Sequence, residues 1–459
     1  MPKKPTFEQL MIIVVELQAE VKALRKENVA LKEKLKKYEN PKNSRNSSIP
    51  PSKDENRPKR NNSLRKKTGL KPGGQKGHKG KTLMVSDNPD IIKEILPDYC
   101  NKCGKDLSGI EGMLDKKRQI VDIPPIKQII TEYQTFSKLC SCGCTSKSDF
   151  PIGVGTPVSY GSNVQSLVAY LHARQFIPYK RMREMLNDLF GLSISQGGIE
   201  QLLNHFCKTN IGLYNKILAA VEKSQAVGGD ETGCKVNGDK WWFWTWQTAT
   251  LTFITASANR GKKTIDSVLK NGLPNSILVS DRWKPQLNTI AKEHQLCLAH
   301  LLRDTIYLNQ LYNDSWTKAF KKLLLDSIKL DKTMNVGDYN NPEFEKRKQI
   351  IKRFESLIVN YKQNKNYKKL NTFVKNITKL KESVFVFLHY QDVPPDNNAS
   401  ERAVRNIKVK QKISGQFKSQ NGAKRFAIIR SIIDTLTKNN LNVLGALNIF
   451  ANFEVQNTG

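Results

Sequence analysis

The segment 226–281 limits the possible fold more than any other part of the chain. It contains three consecutive runs rich in aromatic and β-branched residues, a composition typical of strands: AVGGDETGCKV, KWWFWTWQTAT and LTFITASAN. A helical stretch, KKTIDSVLKN, then leads into a fourth apolar run, SILVSD. Because a helix between two neighbouring strands makes a crossover, the fourth strand should run parallel to its partner. The sequence therefore predicts a mixed sheet within a multidomain α/β protein.

The second predicted strand is unusually rich in large rings. Trp242, Trp244 and Trp246 alternate with Trp241 and Phe243, so both faces of the strand are aromatic. Stacking on nucleic-acid bases is one use of such rings. Packing in a hydrophobic core is the commoner one, and we predict it here.

Three carboxylates stand out in and after this segment. Asp230 lies on the first strand, and Asp281 ends the fourth. Three sequential strands followed by a helix and a strand is the order of the ribonuclease-H-like fold, in which these two positions are neighbours. Glu401 lies on a basic predicted helix, NNASERAVRNIKVKQK, after a gap of 119 residues. That gap is too long for one loop, so we predict an inserted α-helical subdomain.

These carboxylates suit phosphodiester chemistry with two metal ions. Two Mg²⁺ or Mn²⁺ ions roughly 3.5–4 Å apart activate the attacking oxygen and neutralise the leaving one, and such ions prefer carboxylate ligands. Taken singly, an Asp at the end of a strand or a Glu four residues before an Arg is commonplace. Their combination in a basic chain predicts that Asp230, Asp281 and Glu401 are catalytic metal ligands.

The helix of Glu401 also supplies cations. Arg405 and Lys408 follow it at the i+4 and i+7 positions of one helical face. Arg402 and Lys412 lie on the same helix. Since a metal ligand and phosphate-binding cations would point the same way, we predict that these four cations contact DNA.

The net charge of the chain indicates an anionic binding partner. The chain of 459 residues has 75 Lys and Arg against 42 Asp and Glu, a formal charge of +33. Such an excess predicts binding to nucleic acid or to an anionic membrane surface. No apolar stretch approaches the length of a membrane span, and the N-terminus MPKKPTFEQLM has no secretory signal. DNA in the cytoplasm is therefore the predicted partner, and no membrane is expected.

Two groups of closely spaced cysteines predict a zinc ribbon. Cys100 and Cys103 form a C-x-x-C-G knuckle, and CSCGC follows 36 residues later. Closed structural zinc sites use four thiolates from two such knuckles, with small residues in the turns. We predict Cys100, Cys103, Cys140 and Cys142 as the zinc ligands, with Cys144 as the alternative to Cys142. Strands are expected between the knuckles, in RQIVDIPP and KQIITEYQTFSK.

The N-terminal residues 7–39 repeat in sevens. Leu10, Leu17, Leu24 and Leu31 occupy d positions, and Asn28 occupies an a position. The g and e′ charges in this register attract each other in a parallel dimer, and one polar Asn at a fixes register and two-strandedness. An amphipathic helix packed on its own domain is the alternative. We predict a leucine-zipper coiled coil that makes the protein a dimer.

The predicted domains follow from these patterns. Residues 40–85 are rich in Pro, Ser, Asn, Gly and Lys, so we expect a basic disordered linker. Two helices around the turn LSIS favour a helix-turn-helix-like DNA-binding segment, although structural helix pairs of this kind are common. The predicted order is the coiled coil 7–39, linker 40–85, zinc ribbon 90–152, helical segment 155–215, first part of the core 222–300, helical insertion 301–392, last part of the core with Glu401 393–440, and C-terminal segment 441–459.

The chain resembles DDE transposases of the IS66 insertion-sequence family nearly from end to end. The stretches that carry the likeness are the heptads, CNKCG with CSCG, PYKRMREMLNDLFGLSISQGGI, GGDETG, SDRW with CLAHLLRD, NNASERAVRNIKVKQKISG and GAKRFAIIRSIIDT. The resemblance implies that Asp230, Asp281 and Glu401 form the catalytic triad. It also implies that Cys297 and His300 form a C-x-x-H element that supports the active site; taken alone, they are too few to assign a metal. Arg282 departs from the small or aromatic residue of many relatives.

The implied activity is cleavage of DNA at inverted-repeat ends, followed by attack of the freed 3′-OH on target DNA. The implied partners are element ends, target DNA, a second copy of the chain and accessory proteins of the same element, in the nucleoid of a prokaryotic cytoplasm. Two other functions fit the same fold. One is a catalytically inactive DNA-binding regulator, and the other is a ribonuclease-H-like nuclease that cleaves without joining.

Overall fold

The computed structural model describes residues 7–39, 41, 77, 84–124, 126–151 and 154–452. The chain divides into two compact units, residues 59–129 and residues 1–58 with 130–459, and each is treated by itself. Most of the predicted linker 40–85 lies outside the described residues.

Helices outnumber strands among the residues that the structure describes. The helices are α1 Phe7–Glu39, α2 Ser162–Ala173, α3 Tyr179–Phe190, α4 Gln196–Thr209, α5 Ile211–Glu222, α6 Lys262–Val268, α7 Lys284–Leu287, α8 Leu298–Tyr312, α9 Ser315–Asp331, α10 Val336–Asn340, α11 Glu345–Val359, α12 Lys368–Lys379, α13 Asn398–Ser414, α14 Gln420–Lys438 and α15 Val443–Asn452. The strands are β1 Ser137–Leu139, β2 Thr145–Lys147, β3 Ala226–Val236, β4 Asp239–Gln247, β5 Thr252–Ser257, β6 Leu273–Ser280 and β7 Ala291–Leu296. The protein is thus a mixed α/β chain with a helical N-terminal region and a sheet-containing core.

Helix α1 spans the residues of the predicted heptads. Its d-position side chains Leu17, Leu24 and Leu31 are about half exposed, and Asn28 is exposed as well. The side chain of Leu10 lies outside those that the structure describes. A helix with an exposed apolar stripe is typical of an element that packs against a partner.

The five-stranded sheet has the order β5-β4-β3-β6-β7. The β3–β4 and β4–β5 pairs are antiparallel, whereas β3–β6 and β6–β7 are parallel. The prediction of three sequential strands, a crossover helix and a parallel strand is confirmed. Strand β7 was not predicted, because its sequence AKEHQL has no apolar alternation.

The aromatic side chains of β4 pack inside the protein. Trp244, Trp246 and Phe243 are fully buried, and the rings of Trp244 and Trp246 stack at 5.8 Å. Helix α14 covers the opposite face of the sheet, that of Phe243, where the ring of Phe426 meets that of Phe243 edge-on at 6.0 Å. The prediction that these rings form a hydrophobic core is confirmed.

Between β7 and α13 the chain builds a helical subdomain, whose hydrophobic core includes Ile277 and Val279 of β6 and Leu296 of β7. Trp316, Phe320, Phe354 and Phe373 are buried in it. The two chain ends of this subdomain meet beside the sheet: Leu298 N donates to Pro395 O at 2.9 Å, and Asn397 N donates to the Cys297 sulfur at 3.2 Å. The segment therefore leaves the core and returns to it at nearly the same point.

Helices α3 and α4 are joined by a short turn that its sequence explains. Gly191 ends α3 in the left-handed conformation (φ 64°), and the Ser195 side chain caps α4 by accepting from Gly198 N at 2.9 Å. Part of α4 is bound to α14, because the Arg425 guanidinium donates to Asn204 at 2.6 Å and to Glu200 at 2.7 Å.

The predicted strands between the cysteine knuckles are largely absent from the described residues. Residues 118–124 and 126–136 belong to neither a helix nor a strand, and the hairpin β1–β2 begins only at Ser137. Ile120 and Ile129 are more than nine-tenths exposed. The apolar alternation suggested strands, but no segment among the described residues pairs with residues 118–124 or 126–136 as a strand.

Candidate active site

The parallel pairing of β3 with β6 places two of the three carboxylates at one edge of the sheet. Gly228 pairs with Val279, so Asp230 and Asp281 each lie two residues beyond a paired position. Asp281 directly follows the last residue of β6, and Asp230 lies on β3 just beyond its parallel pairing with β6. The carboxyl ends of parallel strands are a common place for ligand sites. The Asp281 carboxylate is fixed by Trp283 N, which donates to it at 2.9 Å.

The glycine pair before Asp230 allows helix α13 to approach the sheet. An added Cβ on Gly228 would lie 2.6 Å from Ser400 Oγ, 2.7 Å from Asn397 Oδ1 and 2.9 Å from Gln247 Nε2. Asn397 Nδ2 donates to Gly229 O at 2.7 Å, which fixes the N-terminus of α13 on β3. Residue 228 must therefore be glycine because the buried side chains of α13 occupy the space of a Cβ.

Glu401 follows Ser400 and so lies near this edge. Its Oε1 accepts from Arg303 Nη1 at 3.3 Å and lies 3.9 Å from His300 Nε2. Arg303 and His300 both come from α8, which begins after Cys297. The Cys297 thiol is buried, and its sulfur accepts a hydrogen bond from Asn397 N, at the N-terminus of α13. In this C-x-x-H element, the cysteine supports the helix and the histidine faces the carboxylate.

The charges of the acidic groups influence the pKa of Asp230. Burial raises the pKa of Asp230 well above its usual value, and the charges of Glu231, Asp281 and Glu401 raise it further. The backbone N–H of Glu231 donates to Asp230 at 2.8 Å and opposes this shift. Burial and the charge of Arg303 lower the pKa of His300. A cluster of carboxylates that repel one another is a favourable place for a cation.

A fourth carboxylate, Glu231, forms an ion pair with Arg260. Its side chain is 5% exposed, and its Oε1 accepts from Arg260 Nη2 at 2.9 Å and from Nε at 3.2 Å. The Arg260 guanidinium lies 4.5 Å from the ring centre of Trp283. Glu231 thus anchors a half-exposed cation beside the loop of Asp281.

Several residues around the three carboxylates were not predicted from the sequence. Arg303 could have been found, since it follows His300 by one helical turn in CLAHLLRD. Asn397 and Ser400 belong to the quoted NNASER stretch, but their role depends on close contact with Gly228. Arg260 lies in a loop, where sequence gives no signal for its partner Glu231.

The predicted DNA-binding cations on α13 differ in their surroundings. Arg402, Arg405 and Lys412 are exposed. Lys408 is half-buried, and its Nζ donates to Gly233 O on β3. Three of the four cations are therefore accessible from solvent, whereas Lys408 joins the helix to the sheet.

The donor chemistry fits hard divalent cations. Asp230, Asp281 and Glu401 offer only carboxylate oxygens, which Mg²⁺ and Mn²⁺ prefer. Within the described ranges, however, no three or more His, Cys, Asp or Glu side chains are arranged as a metal-binding group. Arg303 donates a hydrogen bond to Glu401, and Trp283 N donates one to Asp281. Both carboxylates thus already have hydrogen-bond partners within the protein.

The two cysteine knuckles have similar turns, each considered within its own unit. Cys100 N donates to Lys105 O at 2.9 Å, and Gly104 has a φ of 68°. Cys140 N donates to Cys144 O at 2.8 Å, and Gly143 has a φ of 86°. Hydrogen bonds within the turns lower the pKa of Cys100 and of Cys142. In this correspondence, Cys142 occupies the place of Cys103, the residue before the glycine.

An acidic edge of a mixed sheet in a chain of net charge +33 is typical of proteins that act on nucleic acids. Comparison with known families gives the particular class. Residues 157–425 match the transposase IS66 family, and the chain belongs to it. Its function is therefore that of a transposase, which binds DNA.

Two further comparisons complete this picture. Residues 2–84 match a family of unknown function, DUF6444. No curated protein matches the chain.

Among the residues that the structure describes, no helix is both long enough and apolar enough to cross a membrane.

Proposed function

We propose that the protein is a DDE transposase that cleaves DNA at inverted-repeat ends and transfers the freed strands into target DNA. The observation that supports this most is the placement of Asp230 and Asp281, each two residues beyond the paired Gly228 and Val279 of β3 and β6, with the charges of Asp281 and Glu401 acting on Asp230. The strand order β5-β4-β3-β6-β7 supports a ribonuclease-H-like core, and α8 to α12 would form its insertion.

The three carboxylates would hold Mg²⁺ or Mn²⁺. When bound, these ions activate the attacking oxygen and stabilise the charge on the leaving oxygen. The strands fix Asp230 and Asp281, while α13 orients Glu401 from a third direction. Arg303, whose Nη1 donates to Glu401 at 3.3 Å, would hold this carboxylate in place and could also contact a phosphate. Arg402, Arg405 and Lys412 would contact the DNA backbone, and Lys408 would keep their helix on β3.

A structural zinc site would join the two cysteine knuckles. Cys100, Cys103 and Cys140 are three of the proposed ligands. The turn geometry supports Cys142 as the fourth, because Cys142 precedes its left-handed glycine as Cys103 does. Cys144 accepts the backbone hydrogen bond that closes the turn, which is the place of Lys105 in the first knuckle.

The remaining regions would serve assembly and DNA binding. Helix α1 would pair with a second copy through its d positions, with Asn28 fixing the register. Residues 90–152 and 155–215 would recognise the element ends, and the linker 40–85 would add nonspecific phosphate contacts. We propose that the dimer acts in the prokaryotic cytoplasm on nucleoid DNA, together with accessory proteins of the element.

The decisive experiment compares unmodified protein with Asp281→Ala on DNA that carries the element ends. We expect Mg²⁺- or Mn²⁺-dependent strand cleavage that the substitution abolishes, while DNA binding persists. Cleavage that survives Asp281→Ala would contradict the triad. Pre-nicked ends separate the other functions: ends that are never joined to target DNA would indicate a nuclease, and binding without any cleavage would indicate a regulator.

A further inference from the structure

Helix α12 and its flanking residues form an acid-free basic segment in the insertion. Residues 360–381 contain seven lysines and no Asp or Glu. The apolar side of α12 packs into the core of the insertion, where Leu370, Val374 and Ile377 are buried. Its other side is exposed and presents lysines.

Three of these lysines form one row. Lys368, Lys375 and Lys379 are exposed and follow one another at spacings of seven and four residues, which places them on one helical face. At 1.5 Å per residue the row is roughly 16 Å long. One strand of duplex DNA carries about five phosphates over that axial length.

Some cations of the insertion are paired with carboxylates, whereas those of this row are not. On α11, Lys348 pairs with Glu343, and Arg353 pairs with Asp326 at 2.8 Å. Among the described residues, no carboxylate lies within ion-pair distance of the three row lysines. A solvated surface helix would ordinarily mix charges of both signs, so an uncompensated row favours a polyanionic partner.

The position of α12 relates the row to the candidate active site. The ring of Phe373, on the buried side of α12, lies 5.2 Å from the guanidinium of Arg282, which directly follows Asp281. Arg282 also pairs with Asp304 on α8. The row faces away from Phe373, about one helix diameter of roughly 10 Å from it. It would therefore meet DNA beside the scissile bond rather than the bond itself.

We propose that Lys368, Lys375 and Lys379 form a binding surface for the phosphate backbone of duplex DNA that flanks the reacting site. This inference rests on the proposed function. The surface would hold DNA without distinguishing its sequence, since each contact is a lysine to a phosphate. It would also give the insertion a part in DNA binding, because α12 is packed directly against the residue after Asp281.

The test measures the binding of full-length protein to a random-sequence 40-base-pair duplex over a series of salt concentrations. Each phosphate contact adds about 0.9 to the slope of log affinity against log salt. Replacing the three row lysines with Gln should reduce the slope by up to about 2.7 and weaken binding by roughly 10- to 500-fold at 0.1 M salt. The matched control replaces Lys329, Lys346 and Lys352, exposed lysines of α9 and α11, with Gln.

The control triple should bind nearly as the unmodified chain does, and replacing the row lysines with Arg should retain affinity. Thermal melting of each variant checks that it is folded. Equal losses in the row and control triples would overturn the proposal, since net charge alone would then explain them. An unmodified chain that does not bind duplex DNA would overturn both this proposal and the proposed function.

Discussion

Substituting Gly228 with Ala tests how the third carboxylate is positioned. The added Cβ would lie 2.6 Å from Ser400 Oγ, whereas ordinary contacts of such atoms begin near 3.5 Å. Asn397 and Gln247 close off the other sides of the methyl group, so it cannot turn away from all three. We therefore expect the N-terminus of α13, with Glu401, to move by about 1 Å.

Two magnitudes follow from that displacement. Overpacking of a buried site costs about 1–3 kcal/mol of the free energy of unfolding, which lowers the melting temperature of a core of this size by roughly 2–10 °C. A displacement of about 1 Å at a reacting group reduces the rate by roughly 100-fold. The rate should therefore fall far more than the folded fraction does at the assay temperature.

Gly233→Ala is the matched control on the same strand. Its Cβ would lie no closer than 3.8 Å to any other residue, so stability and rate should stay close to those of the unmodified protein. The measurements are thermal unfolding and metal-dependent cleavage of DNA that carries the element ends. If Gly228→Ala melted and cleaved like Gly233→Ala, α13 could not be seated on β3 as described, and the assignment of Glu401 would lose its support.

Three further outcomes are expected. Folding raises the pKa of Asp230, so its contribution to stability is present at low pH and is lost as pH rises through the folded pKa. The melting temperature, measured in EDTA, should therefore fall as pH rises. In Asp230→Asn this dependence of the melting temperature on pH should be weaker. Arg260→Ala leaves the buried Glu231 carboxylate unpaired and should cost about 1–3 kcal/mol; adding Glu231→Gln should restore most of the loss, and an additive double mutant would refute the pairing. Metal analysis should find zinc retained in Cys144→Ser and lost in Cys142→Ser, whereas the reverse result would exchange the two ligands.

Sequence alone predicted the part of the fold whose signal is local. The runs of apolar residues gave strands β3 to β6, and the intervening helix gave the parallel crossover. Strand β7 lacked such a signal because contacts from distant residues stabilise it. Its buried Gln295 donates to Val384 O at 2.9 Å and accepts from Phe387 N at 2.9 Å. Those partners lie about 90 residues further along the chain.

The candidate site shows the same division. Asp230, Asp281 and Glu401 could be proposed because strand ends and a basic helix mark them in the sequence. Arg303 could have been added to them, since it follows His300 by one helical turn. Arg260 could not, since its partner Glu231 is brought to it by tertiary packing. The glycine before Asp230 was visible in the sequence, but its reason, the close approach of Ser400, is a property of the folded chain.

The meeting of Leu298 with Pro395 has a consequence for how this chain can change. The hydrogen bonds at that point hold both ends of a segment of nearly a hundred residues side by side. Lengthening a closed loop adds little further entropy cost, about 0.6 kcal/mol for each doubling. The segment can therefore gain helices on its outer side over evolutionary time while Glu401 stays in register with the strands. A transposase built in this way can acquire new DNA-contacting surfaces without rebuilding its carboxylates.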